Sequence, residues 1–198
     1  MGKKVVAVLG AYPTGDTLDA AVEAILEGAR ARRADTSTIY LTGKHIEFCT
    51  DCRQCTQEPG PARGKCRQQD DLDAILREIE AADAVVLASP VSFGNTSAIF
   101  RRFMERLIGC SYWPAGQPAP RPRSHVRTLK AALVATSAAP GFMLPRFSGT
   151  RKALRTTARF LGAKPVASLW IGLSGPEPDH PLSSRLQARA RRIGMKLV

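Results

Sequence analysis

Short apolar runs alternate with longer amphipathic segments along this chain, and this alternation restricts the possible folds more than any other feature of the sequence. The short runs predict strands at residues 5–9, 36–41, 84–89, 131–136 and 165–173. Apolar residues at helical spacing predict helices at residues 18–29, 72–79, 99–107, 151–161 and 183–197. Strands and helices that alternate in this way indicate consecutive βαβ units.

The run at residues 84–89 indicates how the sheet is covered. Its Ala-Val-Val-Leu-Ala core has no polar alternation, which is typical of a central parallel strand with helices on both faces. We therefore predict an α/β fold in three layers, built on a doubly wound five-stranded parallel sheet with the flavodoxin-like strand order 2-1-3-4-5. In that order, ligands bind at the carboxyl edge of the sheet near the first and third strands.

Length and composition predict one domain over residues 1–198, because 44% apolar and 23% charged residues are typical of a globular protein. The domain would carry a cysteine loop at residues 49–66 and a proline-rich loop at residues 111–125. No run approaches the roughly 18 continuous apolar residues of a membrane span, and none resembles an export signal. We expect a cytoplasmic protein with no membrane partner, in which the five cysteines stay reduced.

The formal net charge of +12 raises the question of a nucleic-acid partner. The basic residues are mostly arginines scattered over the predicted helices, without a basic arm or interleaved exposed aromatics. We therefore predict no nucleic-acid partner. The positive charge favours anionic cofactors, nucleotide substrates and acidic electron carriers.

Three cysteines, Cys49, Cys52 and Cys55, follow one another at a spacing of three residues, and Cys66 lies further along the same loop. Thiolates this close usually share a metal, and the trio is compatible with three corners of an iron–sulfur cluster. Zinc more often uses two separated C-x-x-C pairs, so zinc and an empty thiol loop stay open as alternatives. Cys110 is interpreted as an ordinary packed thiol.

Three further segments bear on ligand binding. Residues 10–17 combine small and hydroxyl residues at a helix N-terminus, where a phosphate is favoured, but they form neither a Walker loop nor a G-x-G-x-x-G fingerprint. Asp70 and Asp71 precede the second predicted helix. The proline-rich residues 111–125 are predicted to lack regular structure, with Tyr112 and Trp113 at a subunit interface or in a ligand pocket.

Together these segments resemble the NAD(P)H-dependent FMN reductase family, and within it the iron–sulfur flavoprotein branch. The residues that carry the resemblance are the C-x-x-C-x-x-C run, Gly64-Lys65-Cys66, Asp70-Asp71, Ala82-Asp83, Ser89-Pro90-Val91, Phe93-Gly94-Asn95 and Phe103-Met104-Glu105-Arg106. The resemblance implies a flavodoxin-like fold that binds FMN and assembles as a homodimer or homotetramer.

The resemblance also implies a set of site residues. It places the FMN phosphate at Thr14, Gly15, Asp16 and Thr17. It places the isoalloxazine ring between Pro90, Val91, Ser92, Phe93, Gly94 and Asn95 on one side and Thr136, Ser137 and Gly141 on the other. It assigns Cys49, Cys52, Cys55 and Cys66 to a 4Fe-4S cluster. An anionic Asp16 is unfavourable beside a phosphate unless its side chain caps the helix instead.

The implied function is that of an FMN-dependent oxidoreductase, which passes electrons between NAD(P)H or a reduced carrier, FMN and a 4Fe-4S cluster. A cluster-free NAD(P)H-dependent flavin, quinone or nitro-compound reductase is one alternative. A non-enzymatic flavodoxin-like electron carrier is another, and a zinc-stabilised module without FMN is a third. The sequence contains no hydrolase signature, because its three histidines lie in unrelated contexts.

Overall fold

The computed structural model describes residues 2–13, 15–123, 129–143, 146, 148–174 and 182–198. The strands are β1 (Lys4–Leu9), β2 (Asp35–Tyr40), β3 (Ala84–Ser92), β4 (Asn95–Thr96), β5 (Ser111–Tyr112), β6 (Arg121–Pro122), β7 (Leu129–Thr136) and β8 (Ala163–Ile171). The α-helices are α1 (Thr17–Arg30), α2 (Leu72–Glu80), α3 (Ala98–Arg106), α4 (Thr150–Phe160) and α5 (Ser184–Leu197). Within the described ranges, no helix is long and apolar enough to cross a lipid bilayer.

The main sheet has the strand order β2-β1-β3-β7-β8, and all four of these pairings are parallel. The five strands correspond in chain order to the predicted order 2-1-3-4-5, so the predicted fold is confirmed. The short β4 adds an antiparallel pairing at the carboxyl end of β3. This extension lies beside the point where the strand order reverses, between β1 and β3, where ligands bind in such sheets.

Both faces of the sheet are covered by helices. Val5, Ala7 and Leu9 of β1 pack on one side in a cluster with residues of α1 and α5. Val6 and Val8 pack on the other side with residues of α2, α3 and α4. Because successive strand residues point to opposite faces, one short apolar strand supplies both cores, which explains why residues 5–9 show no polar alternation.

The strand β8 lies at the edge of the sheet and begins two residues before its predicted start. It contains Pro165, which cannot donate a backbone hydrogen bond, and an edge strand tolerates proline because one side of it has no partner. The pairing of β7 with β8 shifts register between Ala131 and Ala132, opposite this proline. Leu173, predicted to end the strand, instead lies beyond it with a positive φ of 57° and an exposed side chain.

The helices α1 and α5 pack against each other through small residues. A Cβ atom added to Gly194 of α5 would overlap the carbonyl oxygen of Ile25, and one added to Gly28 would overlap that of Arg191. The two helix backbones are therefore closer together than they could be if Gly28 or Gly194 carried a side chain.

The proline-rich segment contains regular structure, so the prediction for residues 111–125 was wrong in this respect. Ser111 pairs with Pro122 and Tyr112 with Arg121 in a short antiparallel hairpin. The prediction failed because this pairing depends on contacts with the cysteine loop, such as the hydrogen bond from Trp113 N to Thr56 O at 2.9 Å. Residues 124 and 125 of the predicted loop lie outside the described residues.

Candidate functional site

A cavity of about 560 Å³ opens at the carboxyl edge of the sheet, between the loops that follow β1 and β3. Its lining residues are Gly10, Ala11, Tyr12, Asp16, Thr42, Phe48, Pro90, Ser92, Ser97, Ala98, Ile99 and Arg102. Asp16, Pro90 and Ser92 belong to the predicted flavin site. The cavity therefore forms at the predicted place, and half of its lining comes from residues outside the segments 10–17 and 90–95.

The first loop ends in a capped helix N-terminus. The Asp16 carboxylate accepts hydrogen bonds from Leu18 N at 2.8 Å and Asp19 N at 3.1 Å. Its negative charge is thus engaged with the first turn of α1. The hydroxyl of Thr17 is buried in the same turn and has no hydrogen-bond partner among the described residues. Gly15 adopts a positive φ of 71°, and the predicted Thr14 lies outside the described residues.

The segment after β3 forms a tight turn. Phe93 and Gly94 both adopt positive φ, 46° and 73°, and join Ser92 to Asn95 across the antiparallel pair. Glycine adopts such angles freely, whereas an aromatic residue does so only with strain. The Phe93 side chain is nevertheless fully exposed beside the cavity mouth. A strained, exposed aromatic residue at this position indicates use by a ligand rather than by the core.

Two serines connect the β1 and β3 loops beneath the cavity. The Ser97 hydroxyl donates to Gly10 O at 2.5 Å, and the Ser89 hydroxyl accepts from Ser97 N at 3.0 Å. These bonds fix α3 relative to the first loop. Val91 continues β3 and pairs with Thr96 of β4.

The predicted third segment, Thr136, Ser137 and Gly141, does not line this cavity. Ser137 donates its backbone N–H to Ile171 O at 2.9 Å, and its carbonyl accepts from Ser174. Gly141 packs closely against Gly172. These residues follow β7 at the same edge of the sheet but contact the end of β8.

Three residues that the sequence analysis missed give the cavity much of its chemistry: Thr42, Phe48 and Arg102. The Arg102 guanidinium lies 5.5 Å from the centre of the Phe48 ring, and its Nε is buried without a hydrogen-bond partner in the described part of the chain. Phe48 directly precedes Cys49. This adjacency in sequence to the cysteine loop was the available signal for Phe48.

The cysteine loop follows β2 and returns to α2 beside this cavity. Cys55 is buried, 8% exposed, whereas Cys49 and Cys52 are exposed. Burial raises the pKa of the Cys55 thiol, and the charges of Cys66, Cys49 and Cys52 raise it further. The other three predicted sulfurs are therefore within electrostatic range of Cys55. No three His, Cys, Asp or Glu side chains of the described residues are close enough together to hold a metal ion.

The surroundings of the exposed Cys52 stabilise its thiolate form. A backbone hydrogen bond from Gln54 lowers the pKa of the Cys52 thiol, and the Thr50 side chain and the charge of Arg67 lower it further. Arg53 instead lies over the Trp113 ring, 4.3 Å from its centre, which joins the loop to the proline-rich hairpin. Cys110 is not one of the predicted ligands, and its burial raises its pKa to about 12, as expected for a packed thiol.

A buried ion pair holds the two ends of the loop together. Arg106 Nη1 donates to Asp70 Oδ2 at 2.5 Å and to Glu47 O at 2.7 Å, while Asp70 Oδ2 accepts from Glu47 N at 2.8 Å. The side chains of Arg106 and Asp70 are only 2% and 1% exposed. Arg106 Nη2 also donates to the Cys66 sulfur at 3.5 Å. Asp71 does not cap α2 with its side chain but accepts from His45 N at 2.8 Å.

Residues 3–175 match the family model of NADPH-dependent FMN reductases. The chain belongs to this family. The match covers most of the chain, including every strand of the main sheet and both loops that border the cavity. The predicted family is therefore confirmed.

Curated relatives come from the predicted branch. The chain is 31% identical over 111 residues to an iron-sulfur flavoprotein of Archaeoglobus fulgidus, which covers 56% of this chain and 48% of that protein. It is 36% identical over 104 residues to the iron-sulfur flavoprotein MJ1083 of Methanocaldococcus jannaschii, which covers 52% and 51%. The matches thus span about half the length of these relatives.

A solved structure of similar shape supports the fold alone. The NAD(P)H:quinone oxidoreductase from Methanothermobacter marburgensis superposes over 100% of both chains with a TM-score of 0.73 at 19% identity. At this identity the similarity does not extend to substrates.

The residues at this edge of the sheet fit an FMN molecule. The unpaired Thr17 hydroxyl at the N-terminus of α1 suits a phosphate oxygen, and the unpaired Arg102 Nε suits a polar acceptor of the cofactor. The Thr96 hydroxyl, beside the predicted ring site, is a third buried group without a partner in the described chain. Buried polar groups are normally hydrogen-bonded, and Arg102, which lines the cavity, is the one of these three whose unpaired group a ligand there could satisfy directly.

The donor set of the cysteine loop fits an iron–sulfur cluster in its chemistry. It comprises four thiols that act electrostatically on one another, with a guanidinium donating to one sulfur and a backbone hydrogen bond to another. Cys49 and Cys52 would have to move inward from their exposed positions to complete the set.

Proposed function

We propose that this chain is an FMN-dependent oxidoreductase that takes electrons from NAD(P)H or a reduced carrier and passes them between FMN and a 4Fe-4S cluster held by Cys49, Cys52, Cys55 and Cys66. The observation that carries the proposal is the adjacency of the two sites. Phe48 lines the cavity at the edge of the sheet and directly precedes the first thiol of the loop.

FMN, when bound, accepts a hydride or two electrons, and a 4Fe-4S cluster exchanges one electron at a time. The chain supplies the binding geometry around this chemistry. Thr17 would hold the phosphate at the N-terminus of α1, while the Leu18 and Asp19 N–H groups stay bound to the Asp16 carboxylate. Residues 90–95, with the exposed Phe93, would border the ring on the side where the nicotinamide or the acceptor approaches.

The cysteine loop would hold the cluster beside this flavin. Arg106 donates to Cys66, and Gln54 donates to Cys52, so both sulfurs have hydrogen bonds that stabilise negative charge. Arg67 adds positive charge near Cys52. The names of the curated relatives support this assignment.

A cluster-free NAD(P)H-dependent flavin, quinone or nitro-compound reductase is the second candidate. It is favoured by the exposed positions of Cys49 and Cys52 and by the lack of a converged metal-ligand group in the described residues. In that case the cysteine loop is a structural element, and the cavity alone carries the activity.

Anaerobic purification separates the two candidates. The expected absorption spectrum contains flavin bands together with the broad absorption of an iron–sulfur cluster. About four iron and four sulfide per chain are expected, and the protein should reduce a quinone with NADPH or NADH. Flavin and activity without iron would establish the cluster-free reductase. Bound flavin without any nicotinamide-dependent reduction would point to an electron carrier.

The remaining predictions concern the assembly and its surroundings. We propose a homodimer or homotetramer in the cytoplasm, where the free thiols of the loop stay reduced. Light scattering in solution tests the assembly. The exposed aromatic rings of Tyr12, Phe48, Phe93 and Phe142 support association or ligand contact at the carboxyl edge of the sheet.

A further inference from the structure

Arg102 is the only lysine or arginine among the described residues that line the cavity at the edge of the sheet. It lies in the middle of α3, on the face that also presents Ala98 and Ile99 to the cavity. Its guanidinium lies over the Phe48 ring, 5.5 Å from the ring centre, which holds the group at the cavity wall. The described part of this cavity thus contains a single positive charge, placed beside an aromatic ring.

This guanidinium has unused hydrogen-bonding capacity. Its Nε is buried and has no partner in the described part of the chain, and no Asp or Glu there forms an ion pair with it. The neighbouring Arg101 differs, because it pairs with Glu105 at 3.8 Å and does not line the cavity. A buried donor without a partner is unfavourable, so a guanidinium left free beside a cavity indicates a site for an acceptor.

The N-terminus of α1, beside the same cavity, offers little to an anion because carboxylates already occupy its donors. The Asp16 carboxylate accepts from Leu18 N at 2.8 Å and from Asp19 N at 3.1 Å. The Asp19 carboxylate accepts from Gly15 N at 2.8 Å. Two carboxylates therefore compensate the positive end of the α1 dipole. A phosphate in this cavity needs a positive charge from another element, and α3 supplies one through Arg102.

We propose that Arg102 is the anion-recognition residue of this cavity and that it binds a phosphate monoester. Such a group carries a charge of about −1.5 to −2 at pH 7. The Nε and one terminal nitrogen of the guanidinium form a fork that matches two phosphate oxygens. The inference rests on the proposed function, whose two ligands with a phosphate monoester are FMN and NADPH. The sequence analysis placed the phosphate at residues 14–17 and assigned no ligand contact to α3.

The test compares wild-type protein with Arg102→Gln, Arg102→Lys and the matched control Arg101→Gln, all as full-length chains. Each protein is loaded with FMN or with riboflavin, which lacks the phosphate, and the fluorescence of flavin released on dilution gives the two dissociation constants. Calorimetry on the flavin-loaded proteins gives the dissociation constants of NADP⁺ and of NAD⁺, which lacks the 2′-phosphate. Each protein thus yields two affinity ratios, FMN over riboflavin and NADP⁺ over NAD⁺. A partly unfolded sample affects both members of a ratio alike.

At least one of the two ratios is expected to fall about ten- to hundredfold in Arg102→Gln, because a charge-assisted contact with the phosphate is lost. A fall in the flavin ratio identifies the FMN phosphate as the bound group. A fall in the nucleotide ratio identifies the 2′-phosphate of NADPH. Arg102→Lys keeps the charge without the fork and should recover part of the loss. Arg101→Gln should match wild type in both ratios.

The outcomes separate this inference from the function on which it rests. Wild-type ratios in Arg102→Gln overturn the inference, and so does equal weakening of all four ligands, because cavity shape rather than phosphate charge would then be the cause. Both results leave the proposed function standing, since wild-type protein still binds FMN. Wild-type protein that binds no flavin overturns both. If Arg102→Gln does not fold, Arg102→Lys decides: a smaller fall in one ratio supports the inference, and unchanged ratios overturn it.

Discussion

Asp70 and Arg106 form a nearly fully buried ion pair that also binds backbone groups at both ends of the cysteine loop. Burial alone would raise the pKa of Asp70, but hydrogen bonds from Arg106 and from the backbone N–H groups of Glu47 and Leu72 outweigh it and lower that pKa. Such a pair is not a strong source of net stability, because both charges lose their hydration. Removing one partner is costly, since it leaves the other charge buried alone.

Replacing Asp70 with Asn should therefore lower the free energy of unfolding at pH 7 by about 3–5 kcal/mol. The native pKa lies below the unfolded value of about 3.9, so the stability from ionised Asp70 is complete above that pH and is lost as the pH falls through the native pKa. The difference in the free energy of unfolding between wild type and variant should become smaller below about pH 4. Urea unfolding of both proteins from pH 7 to pH 3 measures this difference. A difference that stays constant over this range would contradict the lowered pKa of Asp70.

The thiol at position 52 offers a second test at the same scale. Cys52→Ala should remove bound iron and leave FMN in place, because Cys52 is exposed in the loop and does not line the flavin cavity. Cys110→Ala is the control, since this buried thiol is not one of the predicted ligands. Iron analysis and flavin absorption of anaerobic samples give the result. Wild-type iron content in the Cys52 variant would remove Cys52 from the ligand set.

At the scale of elements, the first turn of α1 combines a helix cap with a predicted phosphate site. Asp16→Ala removes the cap and should cost about 1 kcal/mol of stability. Asp16→Asn keeps a capping oxygen but removes the charge, so its stability should match wild type while FMN binds more tightly. Chemical denaturation and fluorescence titration with FMN separate the two effects. Weaker FMN binding by Asp16→Asn would show that the charge assists the cofactor.

The close contact between α1 and α5 leads to a prediction about the stability of the fold. Gly194→Ala should destabilise the protein by about 1–3 kcal/mol, because the added methyl overlaps the Ile25 carbonyl and the helices must separate. Gly43→Ala is the control, since a Cβ there meets nothing within 4 Å. Thermal unfolding of both variants measures the difference. Equal stability would mean that α5 moves without cost.

The main elements could be predicted from the sequence because their cause is local. The continuous apolar run of β3 and the four-residue spacing of Ile99, Phe103 and Leu107 each specify a strand or a helix without knowledge of the rest. The β5–β6 hairpin could not be predicted in this way. Its residues include Pro122, and it is held by Arg123 and Trp113 through contacts with a loop more than 50 positions away.

At the scale of the whole molecule, the site is assembled from loops that follow β1, β2 and β3. Topology predicted where these loops meet, and the residues with distinctive chemistry, such as the cysteines and Asp16, could be recognised. Arg102 and Thr42 could not be recognised as site residues from the sequence. They lie in or beside regular elements, and only the packed structure determines which side of an element faces a cavity. That the chain forms one domain remains a prediction.

The net charge of +12 predicts how the molecule meets a charged substrate. Its kcat/KM for NADPH should fall several-fold when ionic strength rises from about 0.01 M to 0.15 M, because salt screens attraction beyond about 8 Å. A neutral quinone acceptor should show no such dependence, which makes it the internal control. Steady-state kinetics at several salt concentrations give the answer, and equal slopes for both substrates would exclude steering by charge.

Arg106 and Arg123 tie the cysteine loop to the domain at Glu47, Asp70 and Glu58 through groups of the protein alone. A loop anchored in this way has less conformational freedom to lose on binding the proposed cluster than a free loop of the same length, although Cys49 and Cys52 must still move inward. Under the proposed function, oxygen that strips the cluster would leave a folded chain whose loop is still tied at these points. Renewed delivery of iron and sulfide would then rebuild the site, so the lifetime of the polypeptide would not be limited by damage to its cofactor.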